Sequence, residues 1–388
     1  MTIVAALEQD NARLRLALAE AEARAAASGH AFLLRDAVGL SERPLACRHP
    51  SVAGRVTVVI PAFNAEQHIE RAVQSVWAQT YPVHRTEILV VDDGSSDGTR
   101  MLAERLAAES PMRMRVLTHD GGRNRGVAPS RHLAVSEATG EFIALLDADD
   151  AFLPERLSAS IAALNGDAAL QTVCSLGLNV DADGQPVTGH NGTTRAGEWQ
   201  SLGDDLQSPF TFDQLWRVDP IANSSLTIRR SAIERVGGFP SLMAHQSEDW
   251  LLVMKLSLLA PIPCIDRELI LYTHHAGAYT NAYHASGWRE GARIEAFYHL
   301  AWWMLQSPDH AETGARFFRR EYPKQIAEHQ RFFPLLRDFY ALGGRPAAGG
   351  AALGEHIQRL TDEVETLRRV VRAKLLENKT LRKELTRG

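Results

Sequence analysis

Residues Glu141–Leu157 read EFIALLDADDAFLPERL, a hydrophobic run that stops at three carboxylates, Asp147, Asp149 and Asp150, within four residues. EFIALL reads as a strand, and Pro154 suits the first turn of the helix after it. Carboxylates packed this closely repel and raise one another's pKa, so something positive is expected to offset them.

The flanking sequence repeats the same grammar. VTVVI (Val56–Ile60) is a β-branched run that ends at Pro61. Asn64 is expected to cap the next helix, with Gln67 as its capping-box partner. Ile69, Ala72, Val73, Val76 and Trp77 then fall on one helical face. EILVV (Glu87–Val91) is a second strand and leads into DDGSSDGT. A helix over Thr99–Ala108, a short strand over Met114–Leu117 and a helix around Pro129–Ala138 complete the series. Strands alternating with helices predict an α/β fold, with a parallel, doubly wound sheet covered on both faces.

The bulk properties exclude several classes. The 388 residues are 45% hydrophobic and 23% charged with a net charge of −5, so the basic footprint of a nucleic-acid-binding domain is missing. Cys47, Cys174 and Cys264 are far apart, and neither C-x-x-C nor H-E-x-x-H occurs. They are expected as small buried hydrophobes rather than disulfides or zinc ligands. The N-terminus lacks the basic and apolar regions of a signal peptide, and no apolar run approaches a membrane span of roughly 18 residues. A soluble, cytoplasmic protein is the expectation, with loose peripheral association at the inner membrane left open.

The two ends differ from the middle. Leu353, Ile357, Leu360, Val364, Leu367, Val371, Lys374, Asn378, Leu381 and Leu385 alternate in steps of four and three, a seam that predicts a C-terminal coiled coil over 350–388 and a homodimer, with an amphipathic helix packed on its own domain as the alternative. Val4, Leu7, Asn11, Leu14, Leu18, Ala21 and Ala25 give a weaker seam over 1–28. Residues 29–53 read as a linker and 291–345 as helices packed on the core domain, 54–290.

Polar clusters fall at the carboxyl ends of successive strands: Phe63-Asn64, Asp92-Asp93 and Asp147-x-Asp149. In open α/β sheets ligands bind at that edge. Each cluster alone has a plainer reading: DDGSSDG as a tight turn, Asp149 and Asp150 as a helix cap. Together they suit a hard cation, Mg²⁺ or Mn²⁺, held with substrate phosphates. GGRNRGVAPSR (Gly121–Arg131) adds Arg123, Arg125 and Arg131 for phosphate oxygens, though a solvated arginine turn is the alternative. It is not a Walker A loop, because Gly126 is followed by Val-Ala, and no strand runs into G-x-G-x-x-G.

VVIPAFNAEQHIERAVQSVWAQT, ILVVDDGSSDGT, NRGVAPSRHLAVSEATGEFIALLDADD and GGFPSLMAHQSEDWLLVMKL occur in the order and spacing of the family-2 glycosyltransferases, which this chain resembles over roughly residues 54–280. The resemblance implies a GT-A fold, Rossmann-like with a mostly parallel sheet flanked by helices, here with helical extensions at both ends. It implies that Pro61, Phe63, Asn64, Asp92, Asp93, Arg125, Arg131 and Asp147 bind the donor nucleotide, with Phe63 against the base and Asp93 at its edge. Asp149 would be the direct metal ligand, joined by Asp147 or by one of His274 and His275, and Asp249 of SEDW the catalytic base. Glu248, Trp250, Trp199 and Trp216 are candidates for the acceptor side. For Trp199 and Trp216, core packing is the equal alternative. The family often has Arg-Asn where this chain has Arg131-His132, and the chain lacks the Q-x-x-R-W motif of processive synthases.

The expected activity is therefore metal-dependent, inverting transfer of one sugar from a nucleotide-diphosphate donor, UDP by resemblance, to a hydroxyl on a glycan, lipid-linked or protein acceptor in bacterial surface-glycan synthesis. A sugar-nucleotide nucleotidyltransferase would want a Gly-rich, Arg-containing loop where this chain has PAFN. An inactive coiled-coil scaffold is the non-enzyme alternative.

Overall fold

Strand formation begins where β-branched residues concentrate. In the computed structural model, which describes residues 45–188, 195–196, 208–239, 248–275 and scattered positions between 300 and 321, β1 spans Val52–Ala62. It therefore starts inside the expected linker. The heptad segments, Trp199 and most of 291–345 lie outside the described residues. The chain divides into two compact units, Glu42–Ala296 and Met1–Ser41 with Phe297–Gly388, and the first of these carries the sheet.

β2 (Thr86–Asp92) and β4 (Gly140–Leu145) pair parallel on either side of β1, and β3 (Arg113–Thr118) pairs parallel with β2. Helices α1 (Ile69–Trp77), α2 (Thr99–Glu109) and α3 (Val127–Glu137) connect them. Val56, Val58 and Ile60 point into one core with Ile88, Val90, Phe142 and Ala144, closed by Ile69, Ala72, Val73 and Val76 of α1. Val59, Leu89, Val91 and Ile143, on the opposite face, are also fully buried, and α3 lies along β1 and β2. Burial on both faces explains why these strands read as continuous apolar runs.

Past β4 the expected pattern changes. β5 (Ala151–Phe152), α4 (Arg156–Gly166), β6 (Thr172–Asp181), β7 (Arg195–Ala196), α5 (Phe212–Arg217), β8 (Thr227–Arg229), α6 (Arg230–Arg235), α7 (Glu248–Ser257) and β9 (Cys264–His274) follow. The sheet order is β3-β2-β1-β4-β8-β6-β9-β5, with β7 on β6. β8 runs antiparallel to β4 and β6, β5 to β9 and β7 to β6, whereas β6 and β9 are parallel. The sheet is thus mixed rather than mostly parallel. The cause is the short 3₁₀ turn Asn223–Ser225, which starts β8 at the carboxyl edge and sends it back the other way. Because β8 reverses, β6 and β9 recover the direction of β4. The carboxyl ends of β1, β2, β4, β6 and β9 therefore share one edge.

Two local expectations need correction. Asn64 does not cap α1: the helix starts at Ile69 after His68, and the Asn64 Oδ1 instead accepts from the Ser96 N–H at 2.8 Å. Pro154 precedes the helix, whose N-cap is Glu155. The three cysteines are free; Cys174 is buried as expected, whereas Cys47 and Cys264 are only half-buried.

Candidate active site

The turn after β1 is built from mutual bonds with the turn after β2. Asn64 has a left-handed φ of 51°. Its N–H donates to Ser95 Oγ at 3.0 Å, and Ala65 N–H donates to Thr99 Oγ1 at 2.7 Å. Glu66 Oε2 accepts from Gly98 N–H, and Asp97 accepts from Glu66 N–H and Thr99 N–H. Burial would raise the Asp97 carboxyl, but those hydrogen bonds outweigh it and hold it low. Phe63 stands out of this frame 50% exposed, an aromatic face that the protein itself leaves uncovered. Pro61, the second-last residue of β1, pairs with Val91 and sets the strand end below it.

Asp92 and Asp93 are both buried. Asp92 Oδ1 accepts from Ser95 N–H at 3.3 Å. Asp93 receives the N–H groups of Arg125 and Gly126, one on each oxygen, at 2.7 and 2.8 Å. It thus ties the arginine loop to β2, with the exposed Arg125 side chain above the tie. Gly94 allows the close approach: its φ is +75°, and a Cβ would lie 2.7 Å from Asn124 N and 2.8 Å from Gly122 O.

The charge question raised by Asp147, Asp149 and Asp150 has a different answer for each carboxylate. Asp147 meets Arg131 Nη2 at 2.6 Å and Asn223 Nδ2 at 3.3 Å. Asp149 Oδ2 lies 3.0 Å from His275 Nε2. Asp150, fully enclosed, accepts from Ser224 Oγ and from Thr273 N–H, the latter at 2.9 Å. Burial and the Asp149 and Asp147 charges push Asp150 well above the usual carboxylate range. Burial raises Asp147 too, against the pull of Arg131. The hydrogen bond to Asp149 raises His275.

Arg131 is the centre of the arrangement. It is buried, and its second nitrogen, Nη1, donates to Glu248 Oε1 at 2.6 Å. Burial alone would lower the guanidinium, but Asp147, Glu248 and Asp249 more than reverse that. Glu248 is pushed up to about 8 by burial and the Asp249 charge, and Asp219 to about 7 by burial and the same charge. Glu248, named as a candidate for the acceptor side, is thus enclosed against Arg131. Asp249, in the first turn of α7 and half-buried, accepts from Trp250 N–H at 2.7 Å. A helix N-terminus favours an acid there.

Of the three tryptophans named for the acceptor side, Trp199 lies outside the described residues, and the other two pack in the core. Trp216 and Trp250 are buried and stack on each other with centroids 5.3 Å apart, and Trp250 Nε1 donates to Leu215 O. They are core aromatics joining α5 to α7. Of the two histidines, His275 joins Asp149, while His274 Nε2 lies 3.0 Å from Asn179 Oδ1. His132 turns toward the Phe239 carbonyl at 3.3 Å.

Several site residues carry no sequence signal. Ser224 Oγ accepts from the Asp147 N–H at 3.0 Å and donates to Asp150, so one hydroxyl shapes the whole D-x-D-D loop. The fully buried Arg156 fixes that serine's turn through the Ser225 and Ser224 carbonyls and Thr227 Oγ1. Arg71 Nη2 donates to the Asp149 carbonyl at 2.5 Å. Each of these contacts joins elements distant in sequence.

Asp149 and His275 supply one carboxylate and one imidazole, and among the described residues no group of three or more His, Cys, Asp or Glu forms a metal cage. Mg²⁺ at phosphate sites commonly takes one or two protein carboxylates and fills its shell with phosphate oxygens and water. The donor set fits a cation of that kind, brought to completion by a diphosphate.

The family described as glycosyl transferase family 2 matches residues 57–221. Glycosyltransferase AglE of Haloferax volcanii is 27% identical over 186 residues, covering 48% of this chain and 56% of AglE. UDP-Glc:alpha-D-GlcNAc-diphosphoundecaprenol beta-1,3-glucosyltransferase WfgD of Escherichia coli is 38% identical over 106 residues, 27% of this chain and 39% of WfgD. The match therefore spans between about two-fifths and a little over half of these relatives. S. aureus TarS 1-349 in complex with UDP-GlcNAc superposes with a TM-score of 0.53 at 20% identity, over 84% of this chain and 89% of that one, and so shares the fold. The strand-end motifs lie within or beside the matched segment: residues 57–221 match glycosyl transferase family 2, and the chain shares the fold of TarS 1-349.

Proposed function

We propose that the protein is an inverting glycosyltransferase that moves one sugar from a nucleotide-diphosphate donor to an acceptor hydroxyl. The observation that carries this reading is the Arg131 bridge. One buried guanidinium holds Asp147 of the D-x-D and Glu248 at 2.6 Å each, which supports reading Asp249, the neighbour of Glu248, as the base that works opposite Asp147.

In this reading Phe63 stacks on the base, and Asp92, Asp93 and the Arg125 loop enclose the nucleoside. Asp147 faces the ribose or the donor sugar. Asp249 accepts the proton of the acceptor hydroxyl as that oxygen attacks the anomeric carbon, within the roughly 3 Å reach a general base requires. Arg125 offers charge to the departing diphosphate. Mg²⁺ or Mn²⁺ held by Asp149 and His275, with Asp147 beside them, would supply Lewis-acid stabilisation of the leaving group.

The name of WfgD specifies a UDP-sugar donor and a lipid-diphosphate-linked acceptor, which supports UDP here and a lipid-linked glycan acceptor. The same proposal extends to surface-glycan assembly at the cytoplasmic face of the inner membrane and to a homodimer through the heptads of 350–388. Among the described residues no helix is long and apolar enough to cross a membrane.

The test is calorimetric titration of UDP, GDP and dTDP with Mn²⁺ and with EDTA, followed by turnover of the matching sugar nucleotide. One nucleotide should bind tightly only with the cation, and Asp249→Asn should keep that binding while losing about 10²–10⁴-fold in turnover. Failure of every nucleotide to bind under both conditions overturns the proposal.

A further inference from the structure

Arg71 lies on α1, outside every cluster of polar residues at the strand ends. Its Nη2 donates both to the Asp149 carbonyl at 2.5 Å and to Thr273 Oγ1 at 2.6 Å, and Nη1 reaches the Ala182 carbonyl at 3.5 Å. One side chain thus joins the loop after β4, the end of β9 and the turn after β6. Thr273 is buried and stands two residues before His275. On its other side Thr273 gives its N–H to Asp150. One turn earlier, just before α1, the His68 ring lies 4.5 Å from the His275 ring, centroid to centroid. Among the described residues no carboxylate pairs with Arg71, so its guanidinium is committed to main-chain and hydroxyl oxygens.

We infer that Arg71 is a positioning residue for the cation–diphosphate site: it fixes the separation of Asp149 from His275, with His68 bracing the imidazole. The inference rests on the transferase reading above. The bonds to Asp149 and Thr273 both leave Nη2, and Nη1 of the same planar group reaches the Ala182 carbonyl, so the guanidinium is anchored through two nitrogens in a way that a lysine ammonium, with one, would not reproduce. Groups that orient metal ligands in this way typically affect metal affinity by about 10- to 100-fold when removed.

The experiment uses the full chain. UDP, GDP and dTDP are titrated with Mn²⁺ and with EDTA into the wild type, Arg71→Gln, Arg71→Lys and Thr273→Val. Free Mn²⁺ is followed in parallel by its electron paramagnetic resonance signal. Arg71→Gln should lose about 10- to 100-fold in Mn²⁺-dependent affinity with its EDTA-arm affinity unchanged. Arg71→Lys should fail to restore it. Thr273→Val, which deletes one of the two bonds, should lose part of it, and keeps the inference testable if Arg71→Gln does not fold. Equal losses in both arms would make Arg71 a simple structural tie and overturn the inference, as would wild-type Mn²⁺ affinity in folded Arg71→Gln and Thr273→Val. A wild type that binds no nucleotide in either arm would instead overturn the transferase reading, and this inference with it.

Discussion

Glu248→Gln isolates one proton in the buried cluster. In the folded chain the Glu248 carboxyl is pushed up to about 8 by burial and by Asp249, against an ordinary value near 4.5. Between those values the folded state holds a proton that the unfolded chain has already released. Stability contributed by that proton therefore falls as pH rises, at up to about 1.4 kcal/mol per pH unit, and the slope ends above about pH 8 where both states are ionised. The substituted amide keeps an oxygen for Arg131 Nη1 but has nothing to titrate, and Arg131 retains its bond to Asp147. The stability of Glu248→Gln minus that of the wild type should thus grow from about pH 5 to about pH 8. Urea unfolding of both proteins across that range, followed by tryptophan fluorescence, gives the difference, since titrating groups remote from the cluster cancel. A difference that stays constant or shrinks with rising pH would refute the reasoning. It would mean that Glu248 is ionised throughout and that another acid of the cluster carries the proton.

Two further outcomes follow from the turns. Phe63→Ala should weaken nucleotide binding by about 1–3 kcal/mol, the worth of a base–aromatic stack, and leave the melting temperature unchanged because the ring is half exposed; unaltered affinity by calorimetry would remove Phe63 from the site. Gly94→Ala must place a Cβ against the Asn124 and Gly122 main chain at positive φ, so thermal melting should show a loss of about 1–3 kcal/mol, and wild-type stability would show that the arginine loop yields freely.

The first half of the sheet was legible because its signals are local. Val56–Ile60, Glu87–Val91 and Glu141–Leu146 are apolar runs closed by polar turns, and the observed strands differ from them by a few residues. The D-x-D and the SEDW acids were legible by resemblance, and the structure brings them to one edge. The partners of those acids were not, because Ser224, Asn223, Arg71 and Arg156 look like ordinary turn and helix residues until the strands pair. Asn64 misled for a related reason: its side chain satisfies a neighbouring turn rather than its own helix. Trp216 and Trp250 misled because polar neighbours in sequence say nothing about a stacking partner 34 positions away. The reversal at β8 was hidden by the brevity of a three-residue strand.

The bridges that quiet the D-x-D-D loop also set a timetable for synthesis. Arg131 precedes Asp147 by 16 residues and is already present when the aspartates leave the ribosome. Ser224 arrives 74 residues after Asp150, and His275 arrives 126 residues after Asp149. At about 5–20 residues per second, that last interval is on the order of ten seconds. During it the parallel strands can assemble while their acidic edge is held by a single arginine. Residues 57–221, the stretch shared with the family, stop short of Ser224, Glu248 and His275. A nascent chain paused at that boundary would carry the parallel strands β1 to β4, and Asp149 and Asp150 would need water until Ser224 and His275 emerged.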